Sequence, residues 1–227
     1  MLSLVQFVFL YQPFNFIHVK KLISFISLII LFALLESGCK QKKEQSATDR
    51  VSATEIREQT LRTWEAYKTY AWGSDVLLPI SKGSKNWYSE PLYISPIDAY
   101  STLHLMGFNE ETTIIESYVT DSLDFDKDIF VKVFEVNIRV LGGLLSMYQS
   151  CGNPAILEKA KDFADRLMPA FNSGTGMPHY WVNLRSGEVR GDTVNMAEAG
   201  TYVVEMGVLS YYTGNPDYYR AAKQATR

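Results

Sequence analysis

The stretch that decides the fold is Val131–Tyr148, VKVFEVNIRVLGGLLSMY. It is apolar almost all the way round, which predicts a helix enclosed by other elements. The exceptions are ordered. Glu135, Arg139, Gly142 and Ser146 follow one another at steps of four, three and four, so one line of an α-helix carries them all. An enclosed helix thus presents an acid, a base, a gap and a hydroxyl along one face. An ionised carboxylate buried without a partner is very costly, so that face needs either partners or a wet cavity. The spacing leaves two readings open. Glu135 and Arg139 have the i,i+4 separation of an ordinary helix ion pair, and structural pairs imitate functional sites. The same residues also suit a carboxyl lining a pocket beside an arginine that orients it or binds a ligand.

Composition sets the wider bounds. A chain of 227 residues, 47% hydrophobic and 13% aromatic, has ample material for a core. Its formal net charge is −3 and it has no basic block, which argues against a nucleic-acid partner. There are two cysteines, Cys39 and Cys151, so no disulfide framework holds the fold. Cys151 is expected to be a buried or half-buried thiol without chemistry. His18, His104 and His179 are isolated, and no zinc spacing, Ser-His-Asp arrangement, P-loop or GxGxxG is present.

The N-terminus reads as an export signal over residues 1–38. Lys20 and Lys21 precede Leu22–Leu35, an apolar run of 14 residues broken by two serines. That length suits a signal core and is short for a membrane span. Ser37-Gly38-Cys39 follows and resembles a bacterial lipobox, in which the cysteine carries lipid; Glu36 stands where leucine is usual. The reading is a lipoprotein, exported and membrane-attached through Cys39, in the periplasm or at the surface of a bacterium. A plain cleaved signal and an uncleaved anchor are the alternatives. Residues 39–54 are polar and read as a solvated tether. The folded domain is expected over 55–227.

From Glu55 the pattern is helical over Ile56–Tyr70. Leu77–Tyr93, punctuated by Pro79, Gly83 and Pro91, predicts an irregular loop. Ser95-Pro96-Ile97-Asp98 has the form of a helix start, with a serine cap, proline at the first position and an acid three residues after the cap. That helix is expected to stop at Gly107, and another to run from Glu110 to Ser122. An internal repeat follows. LLSMYQSCGNPAILEKAKDFADR, from Leu144, matches VLSYYTGNPDYYRAAKQATR, from Val208, at a spacing of about 62–64 residues. Each copy predicts an apolar helix, a Gly-Asn-Pro turn and an amphipathic helix. Repeated hairpins of this kind predict an all-α toroid whose inner helices line a cavity. Between the copies, Ala170–Val194 reads as a binding loop, with Tyr180–Leu184 extended.

The second inner helix, Ala197–Tyr212, carries Glu198, Thr201 and Glu205 on one face. Glu198 also fits the position where acids complement a helix dipole, and Asp98 fits a capping box. Asp98, Glu135, Arg139, Glu198 and Glu205 are thus candidates to converge in the cavity. Converging carboxylates suit glycoside hydrolysis and also calcium, a hard ion that prefers oxygen.

Four segments carry a resemblance. Phe134–Ser146 resembles the FE-x-x-IR-x-LGGLLS segment of glycoside hydrolase family 47, the class I α-1,2-mannosidases. Arg166–Phe171 resembles its RL-x-PAF. Gly176-Met177-Pro178 with Val182-Asn183-Leu184 resembles its GIP…VNL. Ala197-Glu198 through Glu205 and Leu209-Ser210 resembles its AE…E…LS. The resemblance implies an (α/α)7 barrel and a calcium-dependent, inverting exo-mannosidase acting on a mannose-containing glycan. It implies Glu135 as proton donor, with apolar walls keeping it protonated. It implies Arg139, Glu198, Asp98, Glu205 and Asn183 as substrate-binding residues, and no metal ligand within this chain. Ser101 stands where the family's D-x-x-DTL has its second acid. Seven hairpins exceed what this chain holds, so the catalytic base and the calcium-binding threonine are expected beyond Arg227, with apolar flanks left exposed. A non-catalytic glycan-binding lipoprotein and another α/α-toroid glycosidase are the rival readings.

Overall fold

A computed structural model describes residues 52–227. The expected export signal, Cys39 and nearly all of the expected tether lie outside those residues. Helix α1 spans Ala53–Ala71, starting two residues before the expected Glu55. Among the described residues, no helix is long and apolar enough to cross a membrane.

A short hairpin follows, β1 (Val76–Leu78) paired antiparallel with β2 (Gly83–Lys85), where an irregular loop was expected. Then come α2 (Ile94–Leu105) and α3 (Asn109–Asp121). Strand β3 (Phe130–Lys132) leads into α4 (Val133–Val136), a π-helical stretch Asn137–Leu141, and α5 (Gly142–Cys151). Helix α6 spans Pro154–Leu167. Strands β4 (Trp181–Asn183) and β5 (Val189–Arg190) complete a sheet of order β3-β4-β5. The chain closes with α7 (Met196–Thr201), α8 (Val203–Thr213) and α9 (Pro216–Gln224).

The internal repeat is a repeat of structure. Gly152 and Gly214 both terminate a helix in the left-handed region, at φ 68° and 69°, where glycine pays no Cβ penalty. Asn153 and Asn215 then cap the next helix, each accepting from the amide two residues on, at 3.0 Å. Pro154 and Pro216 occupy the first turn, where a missing N–H costs nothing.

Three local expectations are corrected. First, Val131–Tyr148 is not one regular helix enclosed on all sides. Val131 and Lys132 pair with Val182 and Trp181 in β4, so the stretch starts as strand. The π-helical residues then insert extra width, a feature found frequently at functional sites. Glu135, Ile138, Arg139, Gly142 and Ser146 are only half-buried, while Val136, Val140, Leu141 and Leu144 are fully buried. The polar line is the open side of this element.

Second, Ser95 does not cap α2. The helix starts at Ile94, after Tyr93 in the left-handed region at φ 63°, and it has no local side-chain cap. The fully buried Asp75 serves instead: its carboxylate accepts from the amides of Leu92 (2.7 Å), Ile94 (3.2 Å) and Trp87 (3.0 Å). Ser95 Oγ donates to the Asp75 carbonyl at 2.5 Å. Capping from 19 residues upstream frees Asp98 from the capping-box role its position suggested. Third, the helix expected over Ala197–Tyr212 breaks at Tyr202, so Glu198 and Glu205 serve different neighbours.

Helices α2 and α5 approach closely at one point. A Cβ on Gly143 would lie 2.3 Å from Ile97 Cγ2 and 3.1 Å from the Ile97 carbonyl. One turn on, Ser101 and Ser146 share a hydrogen bond of 2.6 Å. Overpacking such a contact forces backbone shifts that cost about 1–3 kcal/mol. Gly143→Ala should lower unfolding stability by that amount in urea denaturation; an unchanged midpoint and slope would refute the tight contact.

Candidate functional site

The half-buried side of the β3–α5 element carries a ladder of alternating charge. Arg139, in the π-helical stretch, donates through Nη1 to Asp98 Oδ2 of α2 at 3.0 Å and through Nε to Glu135 Oε2 of α4 at 3.2 Å. On the other side of Glu135, Lys132 Nζ of β3 lies 3.7 Å from Oε1. Lys132 also donates to Glu198 Oε1 of α7 at 2.8 Å. The order is therefore Asp98, Arg139, Glu135, Lys132, Glu198, and the ladder ends in a carboxylate at both ends.

The i,i+4 pair of Glu135 and Arg139 exists, as the bland reading required. It is not isolated, because Arg139 also holds Asp98 across the helix interface. The expectation that apolar walls alone surround Glu135 is corrected: it faces two cations. Aromatic rings back both of these cations. The Arg139 guanidinium lies 5.0 Å from the Trp87 ring centroid, and Lys132 Nζ lies 4.9 Å from Tyr180 and 5.4 Å from Phe134. Such contacts are worth about 0.5–2 kcal/mol according to their desolvation.

Exposure falls along the ladder from Arg139 to Glu198. The Arg139 and Asp98 side chains are 38% and 36% exposed, Glu135 25%, Lys132 19% and Glu198 11%. One end meets solvent and the other is closed. Burial pushes the Asp98 carboxyl above the ordinary aspartate range, outweighing the opposing pull of Arg139. The hydrogen bond to Glu198, seconded by one to Tyr180, raises the Lys132 ammonium above the ordinary lysine value.

Glu198 satisfies both of its earlier readings. Its amide donates to Asn195 Oδ1 at 2.8 Å, the helix cap, so it sits in the first turn where acids are favoured. Its side chain nonetheless turns to Lys132, and its second oxygen, Oε2, is buried with no hydrogen-bond partner among the described residues. Glu205 lies apart from the ladder. Its Oε2 accepts from Asn137 Nδ2 at 2.9 Å, and its chain packs where a Cβ on Gly142 would come within 3.4 Å of its Cγ. Burial raises the Glu205 carboxyl above the ordinary range despite the hydrogen bond from Asn137.

Asn183 shares no hydrogen bond with the other candidates. Its Nδ2 donates to Asp128 at 2.8 Å, while its Oδ1 accepts from the amides of Arg185 and Ser186 at 3.0 Å. Its Oδ1 thus closes the β4–β5 turn, while its Nδ2 ties the turn to Asp128. Arg166, in the RL-x-PAF segment, pairs with Asp162 and Asp126 and donates to the Leu184 carbonyl. Cys151 is half-buried and accepts from the Asn153 amide at 3.4 Å.

Sequence reasoning missed Lys132, Trp87, Asn137 and Asp75. Lys132 carried a signal, a lone lysine three residues before Glu135 in an apolar run. Trp87 and Asp75 carried none, because loop geometry alone brings them in. Among the described residues, no three His, Cys, Asp or Glu side chains form a group that could hold a metal.

Comparisons with known proteins agree on one family. The profile of glycosyl hydrolase family 47 matches residues 59–227. A mannosyl-oligosaccharide 1,2-alpha-mannosidase of Arabidopsis thaliana is 39% identical over 181 residues, covering 77% of this chain and 32% of the relative. The human mannosyl-oligosaccharide 1,2-alpha-mannosidase IB is 40% identical over 181 residues, covering 75% of this chain and 28% of the relative. The chain thus spans about a third of these relatives' length. Among solved structures, an alpha-1,2-mannosidase from Trichoderma reesei superposes with a TM-score of 0.69 at 31% identity, over 75% of this chain and 39% of that one. The fold is that of the (α/α)7 barrel, of which this chain covers part. A family match over most of the chain and a charge ladder with three of its five members in segments that carry the resemblance lead to one conclusion: the chain belongs to glycosyl hydrolase family 47.

Proposed function

We propose that this protein hydrolyses terminal α-1,2-linked mannose from glycans, with Glu135 as the proton donor to the departing glycosidic oxygen. The observation that supports this reading is the position of Glu135 in the middle of the ladder. One of its oxygens faces Arg139 and the other faces Lys132, so the carboxyl is held in one orientation. Fixing the carboxyl in this way sets where it meets the glycosidic oxygen, and the proton it donates has to reach it in the substrate complex. Arg139 and Asp98, at the open end, are the donors and acceptors for sugar hydroxyls. Glu198 meets the sugar at the closed end.

The reading includes inversion at the anomeric carbon, in which a second carboxylate activates a water on the opposite face. That base is assigned to no residue of this chain. Calcium dependence belongs to the same reading, likewise with no ligand assigned within 1–227. Export and lipid attachment at Cys39 complete the proposal and place the protein where extracellular glycans are available.

Glu205 fits a functional rather than a stabilising role. Its carboxyl is raised by burial, so the folded state binds its proton more tightly than the unfolded chain does. Ionised Glu205 therefore costs stability above its folded pKa, and the cost disappears as the pH falls through that value. Glu205→Gln keeps an oxygen for Asn137 and removes the charge. Thermal unfolding should show a higher Tm for this variant at neutral pH and a gap that closes in acid; a lower Tm at neutral pH would contradict the assignment.

Activity is tested on α-1,2-mannobiose with the protein expressed from its gene. Mannose release should fall by about 10²–10⁴-fold in Glu135→Gln, the usual contribution of a positioned general acid. Full turnover in that variant would remove Glu135 from the mechanism. β-Mannose should appear first by NMR, and a chelator should abolish release; α-mannose first, or release indifferent to chelator, would refute those parts of the reading.

A further inference from the structure

Lys132 is the one member of the ladder that neither spacing nor resemblance pointed to, and it touches both carboxylates that matter. Its Nζ donates to Glu198 Oε1 at 2.8 Å and lies 3.7 Å from Glu135 Oε1. Its position is over-determined. The backbone is pinned in β3, opposite Trp181, and its amide donates to Tyr88 Oη at 3.2 Å. The rings of Tyr180 and Phe134 flank the ammonium. Glu198 is 8% exposed, and a carboxylate so enclosed needs a counter-charge. Lys132 supplies it to one oxygen only. The other, Oε2, is buried and accepts from no protein donor among the described residues. An enclosed acceptor without a donor is expensive, and in a sugar-binding site a ligand hydroxyl would satisfy it.

We propose that Lys132 is a positioning residue: by anchoring Glu198 Oε1 it presents Oε2 as the acceptor for a hydroxyl of the bound mannoside, while its side facing Glu135 fixes the spacing between the two acids. The inference rests on the reading of this site as a mannoside site. It assigns to Lys132 no contact with the sugar and no proton transfer. The groups that face it are Glu198 from α7, Glu135 from α4 and Tyr180 from the segment before β4. The raised Lys132 ammonium agrees with this setting.

Two readouts test it. The first is KM and kcat for α-1,2-mannobiose in Lys132→Met and Lys132→Arg. Loss of one charge-assisted hydrogen bond to the substrate should raise KM about tenfold or more in Lys132→Met, with a smaller change in kcat. Lys132→Arg should recover most of that loss, whereas a purely structural role would not be rescued by charge alone. The second readout needs no substrate. In the 13C-labelled protein, the Lys132 Cε resonance should titrate at a higher pH than an ordinary lysine, and Glu198→Gln should lower its midpoint. If Lys132→Met does not fold, Lys132→Arg and Glu198→Gln still decide. An unchanged KM in a folded Lys132→Met, or a Lys132 titration unmoved by Glu198→Gln, overturns the proposal. If the wild-type protein neither binds nor cleaves mannobiose, the mannosidase reading fails on its own. The Lys132 titration then judges the pairing separately: a lowered midpoint supports it and an unmoved one ends it.

Discussion

The contact of Gly143 with Ile97 sets the distance between α2 and α5, and the polar site depends on that distance. A side chain at Gly143 would collide with Ile97 and wedge the helices apart. Asp98 follows Ile97 directly, and Arg139 precedes Gly143 by four residues, roughly one helical turn. Closing the seam at the glycine therefore brings Asp98 and Arg139 to 3.0 Å and Ser101 and Ser146 to 2.6 Å. Gly142, beside it, leaves room for Glu205 from α8. The paired glycines let two neighbouring helices close on the central one, and the polar ladder lies along the face they leave open.

The ladder is poorly explained as a device for stability. Ion pairs exposed to this degree contribute about 0–1 kcal/mol each, and the more enclosed members carry desolvation costs that offset their attraction. Asp98 is raised by burial even with Arg139 beside it. Glu198 leaves a buried oxygen unmet among the described residues. The apolar core, from Trp64 through Ala222, is what holds the chain folded. A row of acids and bases kept at some cost on the open side of that core is what substrate recognition would require, and a sugar is the ligand proposed for it.

Much of this was legible in the sequence where local rules govern. The repeat, its Gly-Asn-Pro turns and the alternation of apolar and amphipathic helices follow from capping chemistry and periodicity, and they reappear residue for residue at 152–154 and 214–216. The line Glu135, Arg139, Gly142, Ser146 was visible from spacing, and its partner Asp98 was among the candidates. The failures share a cause, which is that a distant residue overrode a local preference. Ser95 looked like a cap until Asp75 capped α2 from across a loop. Val131 and Lys132 looked helical until β4 recruited them into a sheet. Trp87 reaches Arg139 from a loop that the Asp75 carboxylate ties by accepting from the Trp87 amide. No periodicity encodes such a contact.

The central claim is that the ladder from Asp98 to Glu198 is the sugar-binding face, with Glu135 as its acid. A crystal structure of the protein soaked with α-1,2-mannobiose, using Glu135→Gln to prevent turnover, tests it most directly. The account predicts the disaccharide lying along the ladder, its glycosidic oxygen within hydrogen-bonding distance of residue 135 and a hydroxyl donating to Glu198 Oε2. A disaccharide bound elsewhere, with the ladder unchanged and untouched, would contradict it.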